Sequence, residues 1–111
     1  MLEKLGQFAS LMKNLPKMKE EMSKLQSRIA QITSEGDAGG GMVKVKVNGH
    51  MEVIACAISD DLMKMNDKEM LEDLVRAAVN QAILKAKQAV AEETSKMASS
   101  FGMSGGIQLP T

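Results

Sequence analysis

The side chains best suited to catalysis or metal binding are few and stand apart in the sequence. The chain has one histidine, His50, and one cysteine, Cys56. A metal site needs several Cys, His or carboxylate ligands at short spacing, and neither residue has such neighbours. Cys56 also has no cationic neighbour in sequence that would favour its thiolate. We therefore predict no enzymatic activity, no cofactor and no metal site.

The glycine-rich segment GDAGGGMVKVK, which starts at residue 36, is a candidate for phosphate binding. A phosphate loop follows a strand, ends in Gly-Lys-Ser or Gly-Lys-Thr, and leads into a helix whose N-terminus holds the phosphate. Here a helical pattern precedes the glycines and a strand pattern follows them. We therefore interpret the glycines as a flexible entry to a sheet. The acidic pair Asp60 and Asp61 is typical of turns and helix caps.

Basic side chains are the remaining candidates, because they would hold phosphates by charge. On a helix, Lys13, Lys17 and Lys24 lie within about 60° of one another, opposite an apolar stripe. Arg28 flanks that stripe, and Glu20 stands within the basic face. The pattern fits either a phosphate-binding surface or a solvated helix face. The chain has 14 basic and 14 acidic residues, so its net charge does not by itself attract nucleic acid.

The N-terminal third carries the helix that would position this basic face. From Phe8 to Ile32 apolar residues recur at alternating spacings of three and four, which favours a helix with a seam for a partner helix. The partner is either the rest of the same domain or a second chain in a coiled coil. Because Pro16 interrupts the pattern, we predict that the strong helix starts there and that the first fifteen residues form a separate or kinked piece. Its candidate dimer contacts are Met18, Met22, Leu25 and Ile29.

A hairpin is predicted next. Valines alternate with polar residues over 43–48, as in a half-buried strand. Asn48-Gly49 is a strong signal for a type I′ turn, which requires positive φ at both residues. The return strand would cover 51–58, with Ile54, Cys56 and Ile58 on one face and Val53, Ala55 and Ala57 on the other.

A long helix is predicted from Asn66 or Asp67 to about Ser100, because no Gly or Pro interrupts this segment. Its apolar residues recur every eleven positions, which indicates a nearly straight helix of roughly 50 Å. A two-stranded sheet cannot cover two such helices, so we predict a homodimer with Val75 and Val79 also at the interface. We expect one domain over 1–100 and a flexible Gly- and Ser-rich tail over 101–111.

The cellular compartment is indicated by three features. A single cysteine cannot form an intrachain disulfide and suits a reducing cytoplasm. Glu3 and Lys4 interrupt any apolar run at the N-terminus, so we expect no signal peptide. No run of eighteen apolar residues occurs, so we expect no membrane span and no membrane as a partner.

Five segments in the same order resemble the YbaB/EbfC family of small bacterial nucleoid-associated proteins. They are the helix LMKNLPKMKEEMSKLQSRIAQ, the three glycines that open GGGMVKVKVNG, the strand with Asn-Gly that completes it, the acidic helix start DKEMLEDLVRAAVNQA, and the closing KMASSFGMSGGIQLP. The return strand HMEVIACAISDD departs from the family in having no Lys or Arg. The resemblance covers nearly the whole chain.

The resemblance implies an α+β fold with a long N-terminal helix, a three-stranded antiparallel sheet and a long C-terminal helix, assembled as a tweezers-like homodimer. It assigns an additional strand to about Thr33–Ala38, which the residue pattern leaves as loop. It also implies a non-enzymatic protein of the bacterial nucleoid that binds double-stranded DNA with little sequence preference and affects DNA organisation and expression. Recombination or replication proteins are possible further partners.

Phosphate contacts are expected from nine basic residues: Lys13, Lys17, Lys24 and Arg28 on the first helix, Lys44 and Lys46 on the sheet, and Lys85, Lys87 and Lys96 on the long helix. An alternative function is that of a protein-binding adaptor. Its adaptable groove between the helical arms would be lined by Met12, Met18, Met22 and Met97.

Overall fold

The structure, a computed structural model, describes residues 2–100, with side chains for residues 5–10 and 12–99. Helix α1 spans Leu2–Gln31 and is followed by three strands, β1 Thr33–Ala38, β2 Val43–Asn48 and β3 Val53–Ile58. A short helix, α2 Asp60–Lys64, precedes the long helix α3 Lys68–Ser100. The strands form one antiparallel sheet in the order β1-β2-β3. The predicted α+β architecture is confirmed, and the tail predicted at 101–111 lies outside the described residues.

The core lies between α3 and one face of the sheet. The middle strand β2 alternates fully buried valines with exposed lysines, as its pattern predicts. Three small residues of α3, spaced four apart, are also fully buried and let the helix approach the sheet closely. This core consists of Val43, Val45, Val47, Ala78, Ala82 and Ala86, completed by Leu62 of α2.

Gly36 shows how close that approach is. It is buried in β1, and a Cβ added there would overlap the carbonyl oxygen of Ala78. Gly39, Gly40 and Gly41 all have positive φ and form the turn between β1 and β2. The interpretation of these glycines as a flexible entry to the sheet is therefore wrong, because they occupy a strand and a tight turn. The strand that the resemblance placed at Thr33–Ala38 is confirmed as β1.

The loop between β2 and β3 differs from the predicted type I′ turn. The positive φ belongs to Met51, at 63°, and neither Asn48 nor Gly49 is among the described residues with positive φ. The Asn48 side-chain oxygen accepts hydrogen bonds from the main-chain N–H groups of His50 (2.9 Å) and Glu52 (3.0 Å). Gly49 is instead needed for space, since a Cβ there would overlap the carbonyl oxygen of Ile29 at the end of α1.

The return strand begins two residues later than predicted. Its register with β2 shifts between Lys46 and Val47, so that Val53 lies opposite Val47 and Ile54 has no partner residue on β2. This bulge breaks the predicted alternation and turns Val53 to the same face of the sheet as Val47.

Helix α1 continues through Pro16, so it does not start there and the first fifteen residues are not a separate helix; a kink at Pro16 stays a prediction. A proline inside a helix removes the hydrogen bond to the carbonyl four residues earlier, here that of Met12. Both residues are exposed, which lets water satisfy the free carbonyl oxygen.

The start of α3 agrees with one of the two predicted caps. The Asp67 carboxylate accepts a hydrogen bond from the N–H of Met70 (3.1 Å), which is the geometry of an N-cap. Asn66, the other candidate, has a φ of 54° and lies outside the helix. Helix α2 was not predicted; the Ser59 side chain caps it by accepting from the N–H of Leu62 (3.2 Å).

The chain is elongated. Its radius of gyration is 21.1 Å, whereas a compact domain of this length has one of about 13 Å. The chain exposes 8475 Å², whereas a compact 12.0 kDa monomer exposes about 6,000 Å². Much of the exposed apolar surface belongs to the α1 apolar stripe, defined here as Leu5, Phe8, Met12, Leu15, Met18 and Met22, which are 40% to 65% exposed.

Candidate nucleic-acid interface

Lys13 and Lys17 form the least compensated part of the predicted basic face. Both lie one turn apart on α1 and are exposed. Among the described side chains, no carboxylate is within ion-pair distance of either amine. Their charges are therefore available to a ligand.

The two other basic residues predicted on α1 are compensated. The Lys24 amine lies 3.6 Å from the carboxylate of Glu20 and 3.7 Å from that of Glu21. The Arg28 guanidinium lies 3.9 Å from the carboxylate of Glu93, so it connects α1 to α3. These pairs are at least partly exposed, so they are weak and a phosphate could compete for either cation.

The sheet lysines occupy the face that α3 leaves open. Lys44 and Lys46 are exposed there, but Asp37 lies opposite Lys44 and Glu35 lies opposite Lys46 on β1. Directly opposed residues on antiparallel strands have Cβ atoms about 5 Å apart, so each acid reduces the field of its lysine. The sequence reasoning missed these acids because it assigned β1 to a loop; as a strand, TSEGDA places both carboxylates on the lysine face.

The three lysines predicted on α3 have different environments. Lys85 donates a hydrogen bond to the main-chain oxygen of Glu35 (3.1 Å), so it contacts the sheet. Lys96 lies 3.5 Å from the Glu93 carboxylate. Lys87 is exposed, and among the described side chains no carboxylate pairs with it.

The predicted dimer contacts separate into two groups. Leu25 is buried within the chain, and Ile29, Val75 and Val79 are half-buried. Val75 and Val79 pack against the chain's own core. Met18 and Met22 are 40% and 44% exposed, which leaves them available to a second chain.

The residues considered first for catalysis are placed at the surface. His50 lies in the loop between β2 and β3, and Cys56 lies in β3; both are exposed. Asp60 and Asp61 form the first turn of α2, where negative charge is favourable. Among the described side chains, no three His, Cys, Asp or Glu residues are grouped so that they could hold a metal ion. None of the described helices is long and apolar enough to span a bilayer.

Two contacts outside the predicted set close one edge of the sheet. The Asp37 N–H donates a hydrogen bond to the side-chain oxygen of Gln81 (2.6 Å), and Lys85 donates to the Glu35 carbonyl. Both main-chain groups belong to β1, the edge strand that α3 flanks. The sequence indicates these contacts only through the four-residue spacing of Gln81 and Lys85, which places both side chains on one face of α3.

A family profile and two similar proteins place this chain in one family. Residues 4–101 match the profile of the YbaB/EbfC DNA-binding family. A nucleoid-associated protein of Thermoanaerobacter pseudethanolicus is 41% identical over 101 residues, which covers 91% of this chain and 86% of that protein. A nucleoid-associated protein of Caldanaerobacter subterraneus subsp. tengcongensis is 41% identical over 96 residues, 86% of each chain. The crystal structure of an uncharacterized Helicobacter pylori protein has a TM-score of 0.62 at 31% identity, covering 85% of this chain and 95% of that one.

Proposed function

Because this chain belongs to the YbaB/EbfC DNA-binding family, we propose that it binds duplex DNA as a homodimer, mainly through phosphate contacts and with little sequence preference. In this role it acts in the cytoplasm on the nucleoid, where it affects DNA organisation and expression. The proposed role requires binding alone, with no catalytic step. Recombination or replication proteins stay predicted further partners.

The observation that carries the proposal is the pair Lys13 and Lys17. Both amines are exposed on one face of α1, and among the described side chains no carboxylate competes for them. Lysine amines hold phosphates as point charges and read no base edges, which accounts for a low sequence preference. Lys44, Lys46 and Lys87 are the next candidates, since they are exposed without an ion pair among the described side chains.

The homodimer is supported by apolar area. The α1 apolar stripe, from Leu5 to Met22, is uncovered in the single chain. The chain also exposes about 2,500 Å² more total surface, polar and apolar together, than a compact monomer, whereas one partner buries ~800 Å² in a standard interface. We expect sedimentation at micromolar concentration to give about 24 kDa, twice the 12.0 kDa of one chain.

A salt titration of DNA affinity tests phosphate binding. Lys13 and Lys17 of the two chains supply four phosphate contacts. One further lysine on each chain would bring the total to six. The slope of log K against log salt is then expected to be about −3.6 to −5.4. The variant Lys13→Gln/Lys17→Gln removes four contacts per dimer, so its slope should be less negative by about 3.6.

The matched control is Lys68→Gln/Arg76→Gln, which removes the same charge from α3. Both control residues are exposed and already paired, Lys68 with Glu72 (3.5 Å) and Arg76 with Asp73 (3.0 Å). The slope of log K against log salt is measured by fluorescence anisotropy on two unrelated duplexes of equal length. On each duplex, the control should give the same slope as wild type. Equal slopes for wild type and the Lys13/Lys17 variant, or equal losses in both variants, would refute the assignment.

The protein-binding adaptor is the second candidate function. Met12, Met18 and Met22 are 40% to 51% exposed on α1, and methionine-rich surfaces adapt to different partners. Met97, the fourth residue of the predicted groove, is half-buried on α3. Binding in such a groove would be nearly independent of salt, so the same titration separates the two functions.

A further inference from the structure

Helices α1 and α3 run antiparallel where they meet. Lys85 of α3 donates to the carbonyl of Glu35 in β1. Seven residues earlier in the chain, Arg28 of α1 lies 3.9 Å from Glu93, eight residues further along α3. Successive contacts therefore move toward the C-terminus of α3 as the other chain segment is followed toward its N-terminus.

The cover that α3 gives to α1 ends near Glu21. Helix α3 ends at Ser100, seven residues past Glu93, and Glu21 is seven residues before Arg28, so Ser100 and Glu21 are level along the antiparallel pair. Burial agrees with this position, because Glu21 is half-buried whereas all of residues 12–20 are exposed. The α1 apolar stripe thus extends from the end of α3 toward the N-terminus of α1, uncovered by any described residue.

The eleven residues that follow α3 in the sequence have an apolar pattern of their own. They read FGMSGGIQLPT and lie outside the described residues. Phe101, Met103, Ile107 and Leu109 occupy alternate positions, with Gly105 at the position between the two pairs. Alternate residues of an extended chain point to one side, so this segment, when extended, presents one apolar edge. None of the eleven is charged, so burying them would desolvate no charge.

The length of this segment matches the length of the stripe. An extended chain from Phe101 to Leu109 spans about 26 Å at 3.3 Å per residue. The helix from Met22 to Leu5 also spans about 26 Å, at 1.5 Å per residue. Phe101 follows directly on the end of α3, level with Glu21, so it starts beside one end of the stripe. The covalent link also gives the segment a higher effective concentration at the stripe than a separate chain has.

We propose that residues 101–109 lie extended along the α1 apolar stripe of their own chain, antiparallel to α1, with Leu109 beside Leu5. Lys13 and Lys17 are on the opposite face of α1, so the docked segment leaves them open to phosphate. The inference does not depend on DNA binding. It is compatible with a homodimer, because the chain exposes about 2,500 Å² more than a compact monomer and one partner buries ~800 Å². A protein partner of the adaptor function would have to displace the segment from the stripe.

Two double-cysteine variants in the Cys56→Ser background test this placement. Leu5→Cys/Leu109→Cys joins the two positions that the proposal pairs. Met18→Cys/Leu109→Cys is the matched control, since position 18 is about 20 Å from position 5 along α1. A segment that does not dock gives the opposite preference. Its residue 109 stays within about 17 Å of Ser100 on average, which is close to Met18 and short of Leu5.

Both variants are oxidised with copper phenanthroline, and disulfides are quantified by mass spectrometry after alkylation of the free thiols. We expect the 5–109 disulfide to form at least about tenfold faster than the 18–109 disulfide, within single chains of 12.0 kDa. Equal rates, or a faster 18–109 disulfide, would overturn the docking. A covalent product of 24 kDa as the main 5–109 species would assign the stripe to a second copy and overturn docking within one chain.

Protection from thermolysin is a second measurement of the same contact. This protease cleaves before large apolar residues such as Ile107, and the rate follows the population of the undocked segment when undocking is fast. Phe8→Gln/Met12→Gln removes two apolar side chains from the stripe, so cleavage should be at least about tenfold faster than in wild type. The control Met63→Gln/Met65→Gln changes side chains that are 56% and 51% exposed away from the stripe, and it should be cleaved as wild type. Equal rates in all three proteins, or the same acceleration in both variants, would contradict the docking.

Discussion

Reversing the charge of Glu20 tests whether the basic face of α1 contacts DNA. Glu20 is 67% exposed and lies 3.6 Å from the Lys24 amine, within the face that also presents Lys13 and Lys17. The Glu20 carboxylate repels a phosphate backbone. It also pairs with the Lys24 amine, which is a candidate for phosphate contact. We expect Glu20→Lys to tighten duplex binding, because it removes the repulsion and adds an amine. Lys17→Glu should weaken binding for the opposite reason.

The magnitude follows from counterion release. One new phosphate contact per chain is two per dimer, which makes the slope of log K against log salt more negative by about 1.8. The affinity gain of Glu20→Lys should therefore shrink by about 12-fold between 50 and 200 mM salt. Lys17→Glu should change the slope by about the same amount in the other direction. The exposed pair of Glu20 with Lys24 contributes only about 0 to 1 kcal/mol to folding, so thermal unfolding should change little.

The assay is fluorescence anisotropy with one duplex at four salt concentrations, and Glu72→Lys is the matched control. Glu72 is 61% exposed and pairs with Lys68 at 3.5 Å across one turn of α3, so the control makes the same charge change in the same kind of ion pair. If Glu72→Lys tightens binding as much as Glu20→Lys, net charge accounts for the effect. If neither position 17 nor position 20 changes affinity, the basic face is only solvated and the reasoning fails.

The remaining predictions concern the scaffold that holds these surfaces. Gly36→Ala should lower the free energy of unfolding by about 1 to 3 kcal/mol in urea titrations, because the new Cβ overlaps the Ala78 carbonyl. Gly6→Ala, which meets open space on α1, should instead raise it by up to about 1 kcal/mol; a loss at both positions would contradict this reasoning. Asp67→Ala should lower the free energy of unfolding by about 1 kcal/mol, measured by thermal unfolding, because the Met70 N–H loses its cap. Asp67→Ser should keep most of the wild-type stability, because a serine hydroxyl can accept the same hydrogen bond.

The elements with strong local signals were predictable from sequence. The alternation of Val43, Val45 and Val47 correctly predicted strand β2 and its buried face. The absence of Gly and Pro after Asp67 correctly predicted helix α3, and Asp67 was one of its two predicted caps. Strand β1 was not predictable from its own residues, since TSEGDA combines a glycine with residues that are rare in strands. It is held by pairing with β2, by the packing of α3 on Gly36, and by the two hydrogen bonds from α3.

Errors in the loops have a common physical cause. Gly49 beside Asn48 has the composition of a tight turn, yet the close approach of Ile29 explains its lack of a side chain. Such long-range contacts leave no trace in the local pattern. The same applies to Lys85, which as an isolated lysine was predicted to bind phosphate and whose amine contacts the main chain of β1.

The role of the sheet lysines depends on whether DNA reaches the face of the sheet that α3 leaves open. Lys44 and Lys46 have Asp37 and Glu35 opposite them on β1 and alanines beside them on β3. Each acid has its Cβ about 5 Å from that of its lysine, so it weakens the attraction of the amine for a phosphate. If the one further lysine per chain that contacts DNA lies on this face, Lys44→Gln/Lys46→Gln should make the salt slope less negative by about 1.8. An unchanged slope in this variant would restrict DNA contact to the helices.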